Sequence, residues 1–285
     1  VPSYDFAQGR FRAALLLARL RDVLAVAVVA LFMFPLLWWA LTSFKIPADI
    51  FNKDHEVWVF TPTLGNYAML LPGVGPDQMN AANAFRDSLL IACGATLISL
   101  MAGIPAAFGL SRYPSRHKGK MLAAILLFRF LPPIALIVPV VQLAHQTGLF
   151  DTRLMVMLMH ALLNLPVAVL MMKSFFDDVP TEIDDAAKLD GASGFMTMWK
   201  IVLPMVRGGI AATAILCFIF SWAEFLMALF LTVSFRTLPV QLSILSMGAW
   251  GPLAAMATAT LIPCFLFILL VQKGLVRGLM LGMQK

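Results

Sequence analysis

The sequence predicts an all-α polytopic membrane protein, with about six transmembrane helices and both termini in the cytoplasm. Three observations carry this reading. The 285 residues are 61% hydrophobic and 13% charged, with a mean hydropathy of +0.88, whereas soluble domains are about one quarter charged. Apolar runs long enough to cross a bilayer as helices recur along the chain, and barrel strands would need only ~9–11 alternating residues. Lys and Arg gather in alternate connections, the asymmetry that fixes orientation across a membrane.

Taken in order, residues 1–22 form a basic, Leu-rich lead-in with Arg10, Arg12, Arg19 and Arg21, expected to lie amphipathically along the inner membrane surface. Residues 23–285 are the transmembrane domain. The first span, 23–44, is too long for the apolar core of a signal peptide and is read as a retained helix. Residues 45–84, with Pro47, Pro62, Pro72 and Pro76, make the largest external loop and the expected contact for a soluble partner. The second span, 85–110, ends in a short basic hairpin containing Arg112, Arg116, Lys118 and Lys120. The third, 121–141, contains Pro132-Pro133 and Pro139; adjacent prolines break a helix, which is tolerated where protein or a water-filled cavity satisfies the freed carbonyls. After an outer turn at 142–152 come the fourth span (153–173), a polar segment (174–207), the fifth span (208–231), an outer connection (232–252), the sixth span (253–271) and a short basic tail.

With both termini inside, fifteen of the 21 Lys and Arg fall on the inner side. Lys45, Lys53, Arg86, Arg153 and Arg236 fall outside, and Arg129 lies within a span. The net charge of +6 therefore reports cytoplasmic loops. Nucleic-acid binding is not expected, because no basic patch is interleaved with aromatics. Cys93, Cys217 and Cys264 sit inside apolar runs without metal-ligand spacing and read as buried thiols.

The polar segment is the most informative stretch. It reads Pro180-Thr-Glu-Ile-Asp-Asp-Ala-Ala-Lys-Leu-Asp-Gly191 and runs on to Ile201-Val-Leu-Pro204. Thr181 and Asp184 stand as N-cap and N3 of a short helix, and Pro180 blocks continuation of the helix before it. Ala186, Ala187 and Leu189 give it a shallow apolar face. Asp190-Gly191 ends it, with Gly free to take the left-handed conformation of a C-terminal cap. A second short helix is predicted over 193–202, with Pro204 as its stop. Two brief helices around a Gly turn make a compact knob, suited to a partner's cleft.

This stretch resembles the EAA loop of the permease subunits of binding-protein-dependent ATP-binding-cassette (ABC) importers. Asp185-Ala186-Ala187, three residues, Gly191, nine residues, Ile201, Val202 and Leu203-Pro204 reproduce its spacing. Asp185 replaces the family's Glu and shortens the acid by one methylene. Residues 44–51, Pro62-Thr-Leu-Gly-Asn-Tyr67 and Gly148-Leu-Phe-Asp-Thr152 are similar to the same family, in its carbohydrate branch with maltose-transporter-like second permease subunits. The resemblance implies a type I importer permease fold in the bacterial inner membrane, with 45–84 periplasmic and 174–207 the cytoplasmic coupling loop. It implies ATPase coupling through Asp185, Ala186, Ala187, Asp190, Gly191, Ile201, Leu203 and Pro204. The implied partners are a second permease in a heterodimer, two ATP-binding subunits, a periplasmic solute-binding protein and membrane lipid. The implied cargo is a sugar or sugar derivative.

No cofactor is expected in this chain; ATP and Mg belong to the partner ATPase subunits. The only P-loop-like Gly-Lys, at Gly119-Lys120, has Pro114 where the motif needs Gly and Met121 where it needs Ser or Thr. The chain is not expected to be an enzyme: His55, His117, His145 and His160 are scattered, and no nucleophile elbow or zinc motif is present. His160, inside the fourth span, is expected to hydrogen-bond a neighbouring helix.

Two intramembrane charges remain. Arg129 lies near mid-depth of the third span, where a charge costs about 2.5–3.5 kcal/mol on insertion scales. It therefore either pairs with a carboxylate, in this chain or a second subunit, or lines the pathway and meets an anionic, acidic or sulfonated solute. Glu224 lies in Ser221-Trp-Ala-Glu-Phe-Leu-Met-Ala-Leu229, which resembles the family's fifth span except for Ala223 in place of Asn. Arg129, Glu224, Trp222 and Asn164 are the candidate translocation-path residues. A secondary transporter or channel subunit is the alternative, although no inverted repeat supports it.

Overall fold

The computed structural model describes residues 3–51, 58–68, 70–71, 81–245 and 249–282, with side chains between residues 17 and 269 of those ranges. Contacts divide the chain into two units, 1–69 with 246–259 and 70–245 with 260–285. Every regular element among the described residues is helical. Four helices are long and apolar enough to cross a membrane, and two sharply bent helix pairs bring the number to six.

In the first unit, helix α1 (Ser3–Thr42) runs without a break through the expected boundary at residue 22. Its apolar window Leu17–Thr42 leaves Val26, Leu31 and Phe32 exposed along its length. Such a surface needs lipid or another subunit around it. Short helices α2 (Pro47–Phe51) and α3 (Gly65–Ala68) follow. They explain the motif at 62–67. Asn66 is buried, and its Nδ2 donates to the carbonyls of Ser43 and Lys45, both at 2.8 Å. The Tyr67 hydroxyl meets Ser43 Oγ at 2.8 Å. One amide side chain thus satisfies carbonyls that the end of α1 leaves open. Residues 52–57, 69 and 72–80 of the external loop lie outside the described residues.

The second unit is built on α4 (Ala81–Arg112), which packs along α7 (Arg153–Asp177), with α11 (Arg207–Trp222) against both. Between α4 and α7, the third span is two helices, α5 (Lys118–Phe130) and α6 (Ile134–Gln146). They meet at 93° across Pro132-Pro133. The break falls where adjacent prolines remove two amide donors. Pro139, by contrast, is carried inside α6, so the outer turn begins after Gln146 rather than at 142.

Lipid gives helices little hydrophobic reason to associate, so close backbone approach and interhelical hydrogen bonds must hold them. Both are present. Gly103 lies against Ala168, and a Cβ on Gly209 would collide with the Phe175 ring. Ser99 Oγ lies 2.7 Å from the Ala95 carbonyl and 3.3 Å from that of Ala161 on α7. Ile104, Phe108, Met172, Phe176, Val202 and Leu203 form the core at one end of the bundle. Ile91, Val156, Met227 and Leu231 form it at the other.

Between α7 and α11 the chain forms α8 (Glu182–Leu189), α9 (Gly194–Met196), a π-helical stretch Thr197–Val202 and α10 (Leu203–Met205). The fifth span is interrupted: α11 stops at Trp222 and α12 (Leu226–Leu231) resumes. The outer connection contains α13 (Leu238–Leu245). Helix α14 (Trp250–Gly282) carries the last span window, Trp250–Leu269.

Candidate functional site

The protrusion between α7 and α11 is fastened to the bundle by an ion pair absent from the sequence reading. The expected cap at Thr181 does not form: its backbone is helical (φ −69°, ψ −21°) and its side chain caps nothing. Asp184 instead turns inward, with Oδ2 2.9 Å from Arg112 Nε, and the two side chains are only 9% and 7% exposed. Arg112 Nη2 also donates to the Val179 carbonyl at 2.9 Å. A guanidinium at the end of α4 is a stronger partner for a carboxylate than a neutral amide would be. The pair ties together α4, the α7–α8 connection and α8.

Asp185, the acid of the motif, is exposed and accepts from Lys188 Nζ at 2.9 Å. That bond and the Asp185 charge hold the Lys188 ammonium above its usual range. Gly191 adopts φ +82°, as the turn requires. Its amide donates to Lys188 O at 3.0 Å, and the Ala192 amide to Ala187 O at 2.9 Å. Ser193 then caps α9, accepting from the Met196 amide at 3.3 Å.

Pro204 does not stop the helix. The chain runs through it to Met205 and bends by 83° at Val206. The preceding π-turn is wider than an α-turn and moves the upstream carbonyl clear of the Pro ring.

The motif residues divide by environment. Ala187 and Leu203 are buried against the bundle, Ile201 is half-buried, and Asp185, Ala186, Asp190 and Pro204 are exposed. The exposed side also carries large apolar groups: Leu189 is 90% and Phe195 72% exposed, and the Phe195 and Trp199 rings lie 6.1 Å apart. A cavity of about 260 Å³ opens beside them, between Tyr113, Arg112, Asp184 and Lys188.

The second site lies at the interruption of the fifth span. The Glu224 carboxylate caps the first turn of α12, accepting from the amides of Met227 (2.9 Å) and Ala228 (3.3 Å). Its Oε2 also lies 2.9 Å from His160 Nε2 on α7. His160 is buried, and its Nδ1 meets Ser221 Oγ on α11 at 2.8 Å. The carboxylate thus satisfies amides freed by the helix break and binds α7 to both halves of the span. Asn164 donates to the Cys217 carbonyl at 2.9 Å, a second α7–α11 tie. Trp222 donates to the Thr260 carbonyl at 3.3 Å and stacks on Phe218. Glu224 and Trp222 thus flank the helix break, whereas Asn164 bonds α11 at Cys217, five residues before that helix ends.

Arg129 does not join them. Among the described residues it makes no ion pair with a carboxylate. Its guanidinium stands 5.2 Å from the centre of the Phe220 ring, and the side chain is exposed at the turn before Pro132-Pro133.

An apolar bundle of four to six candidate spans, with polar groups buried at a helix break and a protrusion at one end, defines a multi-pass membrane protein. Residues 95–280 match the family described as "Binding-protein-dependent transport system inner membrane component", and the chain belongs to this family. It is 28% identical over 268 residues to the sulfoquinovosyl glycerol transport system permease protein SmoH of Agrobacterium fabrum, covering 92% of each chain. It is 30% identical over 270 residues to the trehalose transport system permease protein SugB of Mycobacterium tuberculosis, covering 92% of this chain and 96% of that one. In structure it is similar to a chain of a bacterial ABC transporter involved in import of the acidic polysaccharide alginate. The TM-score is 0.73 at 18% identity, over 92% of this chain and 97% of that one. Membership favours the permease reading over a secondary transporter or channel.

Proposed function

We propose that this chain is one half of the translocation pathway of an ATP-driven importer in the bacterial inner membrane. Its cargo is a sugar derivative carrying an anionic group. Residues 174–207 couple it to two ATPase subunits, a second permease completes the pathway, and a periplasmic solute-binding protein delivers the solute. ATP and Mg are held by the ATPase subunits. The observation that carries the coupling assignment is the exposed surface of the protrusion. Leu189 and Phe195 stand out at 90% and 72% exposure on a polar segment beyond the spans, where unburied apolar groups mark a partner's docking site.

Two considerations support the acidic cargo. Arg129 carries a charge with no carboxylate partner among the described residues, beside the helix break at Pro132-Pro133. Two proteins similar to this chain are named for sulfonated or acidic carbohydrate transport. The test is reconstitution of the assembled importer with candidate binding proteins and solutes. Leu189→Asp and Asp185→Ala are expected to release the ATPase subunits or abolish solute-stimulated hydrolysis while the bundle stays folded. Arg129→Gln is expected to reduce uptake of an acidic sugar selectively. Wild-type subunit retention and uptake in the first two variants overturns the coupling role; unchanged acidic uptake in the third overturns the pathway role of Arg129.

A further inference from the structure

Arginine is scarce on the outer side of this chain, and what there is has been gathered into one place. By the charge rule only Lys45, Lys53, Arg86, Arg153 and Arg236 lie outside. Arg86, Arg153 and Arg236 all line a single cavity of about 420 Å³. The cavity is formed by the start of α4, the start of α7 and the segment between α12 and α13. It therefore sits at the end of the α4–α7 pair opposite the coupling protrusion, about 48 Å away along α4 at ~1.5 Å per residue.

Its charges are not self-compensated. Asp87 is buried and takes Arg153 in a two-pronged pair, with Nε at 2.9 Å and Nη2 at 3.1 Å. Arg153 also lies 4.9 Å over the Phe235 ring. Arg86 reaches the same, already engaged, carboxylate only at 3.6 Å. Arg236 makes no ion pair with a carboxylate among the described residues. Arg86 and Arg153 thus share Asp87, and the Asp151 carboxylate holds the Val233 and Ser234 amides of the same wall, so three guanidinium groups against two carboxylates leave one positive charge in excess at the cavity.

We infer that this cavity is an outer-face receptor for the carboxylate or sulfonate group of a sugar unit. The inference rests on the acidic-cargo reading above and adds a second place where that cargo is read. Arg86 and Arg236 hold the anion, and Arg153 is a positioning residue, locked by Asp87 and Phe235. The volume falls in the range of small-ligand sites, about 300–1,000 Å³. Ser234 also lines it, a side chain able to exchange hydrogen bonds with hydroxyl groups. A lipid phosphate shares the anionic chemistry, but its acyl chains would need an apolar groove alongside. Of the lining only Ala84, Val233 and Phe235 are apolar, and Arg153 covers the Phe235 ring.

The test uses the complete importer in phosphatidylcholine nanodiscs, without binding protein. D-glucuronate, sulfoquinovose (6-deoxy-6-sulfo-D-glucose) and D-glucose are titrated by ligand-observed NMR against wild type and the double variant Arg86→Gln/Arg236→Gln. Retention of the ATPase subunits reports integrity. Wild type is expected to bind at least one acidic sugar, and the double variant to bind it about ten-fold or more weakly, as lost charge-assisted hydrogen bonds require. Glucose affinity should not change. Equal acidic-sugar affinity in the two proteins, or no acidic-sugar binding to wild type, overturns the proposal. Loss of copurifying phosphatidylglycerol in the double variant, with acidic-sugar affinity intact, assigns the cavity to lipid and also overturns it. Uptake separates the two claims. Import of an acidic sugar alongside unchanged affinity in the double variant removes the receptor alone. Import of neutral sugars only removes the acidic-cargo reading as well.

Discussion

Breaking the Arg112–Asp184 pair should disconnect the protrusion between α7 and α11 from the bundle without unfolding the spans. The pair is short (2.9 Å), and its side chains are 7% and 9% exposed. Removing one member strands a buried charge, a loss of about 3–5 kcal/mol. The cavity beside the pair, about 260 Å³ and lined by both residues, admits water to the abandoned charge. The lower figure, about 3 kcal/mol, is therefore expected. At 1.4 kcal/mol per decade, that shifts the equilibrium between a docked and a loose α8 by roughly a hundred-fold or more. Arg112→Gln should do slightly more harm than Asp184→Asn, since it also frees the Val179 carbonyl. The double replacement Arg112→Met/Asp184→Leu removes both charges and should recover much of the loss, because apolar substitutes for a buried pair are commonly near neutral.

The assay is transport per ATP hydrolysed in the reconstituted importer, with tryptic cleavage after Lys188 as a direct report on loosening. The single variants should hydrolyse ATP with little transport and be cut faster, and the double variant should lie closer to wild type. Singles that couple and resist trypsin as wild type does, or a double variant no better than the singles, would refute the idea that this pair transmits force from α8 to α4.

Gly191→Ala should weaken retention of the ATPase subunits in pull-down, because φ +82° costs a residue with Cβ roughly 1–2 kcal/mol. Gly191→Asn should lose less, as Asn tolerates that region. Glu224→Ala leaves the Met227 and Ala228 amides without their shared acceptor and removes the carboxylate that lies 2.9 Å from His160 Nε2. Loss of a helix cap alone costs about 0.5–2 kcal/mol, so the melting temperature of the purified complex should fall, with Glu224→Gln in between. Asp151 accepts from the Val233 amide at 2.7 Å and the Ser234 amide at 3.0 Å. Burial raises its carboxyl pKa, but these bonds outweigh burial and hold it below the ordinary value. A depressed folded pKa means the clasp is at full strength above about pH 4, the unfolded value. It weakens as pH falls through the lower, folded value. Hydrogen-exchange protection of Val233 and Ser234, corrected for intrinsic rates, should be flat above that pH and decline below it; protection that is uniform down to pH 2 would remove the clasp.

What the sequence made legible, and what it hid, follows from the range over which each interaction acts. Helix breaks are local. Pro132-Pro133 and Gly191 act within a few residues of themselves, and both events occur where the residues stand. Pro204 shows the limit of that logic, since a π-turn one step upstream absorbs the ring and defers the bend to Val206. Polar partners are not local: the sequence pointed His160 to a neighbouring helix, where it meets Ser221, but elsewhere it was silent or misleading. Asp184 stands three residues after Thr181, the spacing of a reciprocal cap, yet its partner lies on α4. Glu224 and Arg129 are the two conspicuous intramembrane charges and invite pairing with each other. The chain instead gives Glu224 the imidazole of His160 and leaves Arg129 on an aromatic face. The difference has a mechanistic consequence. A Glu224–Arg129 pair would have cancelled both charges inside the bundle. By capping α12 with Glu224, the fold confines the acid to holding the broken span together, and so leaves the guanidinium of Arg129 available to something outside this chain.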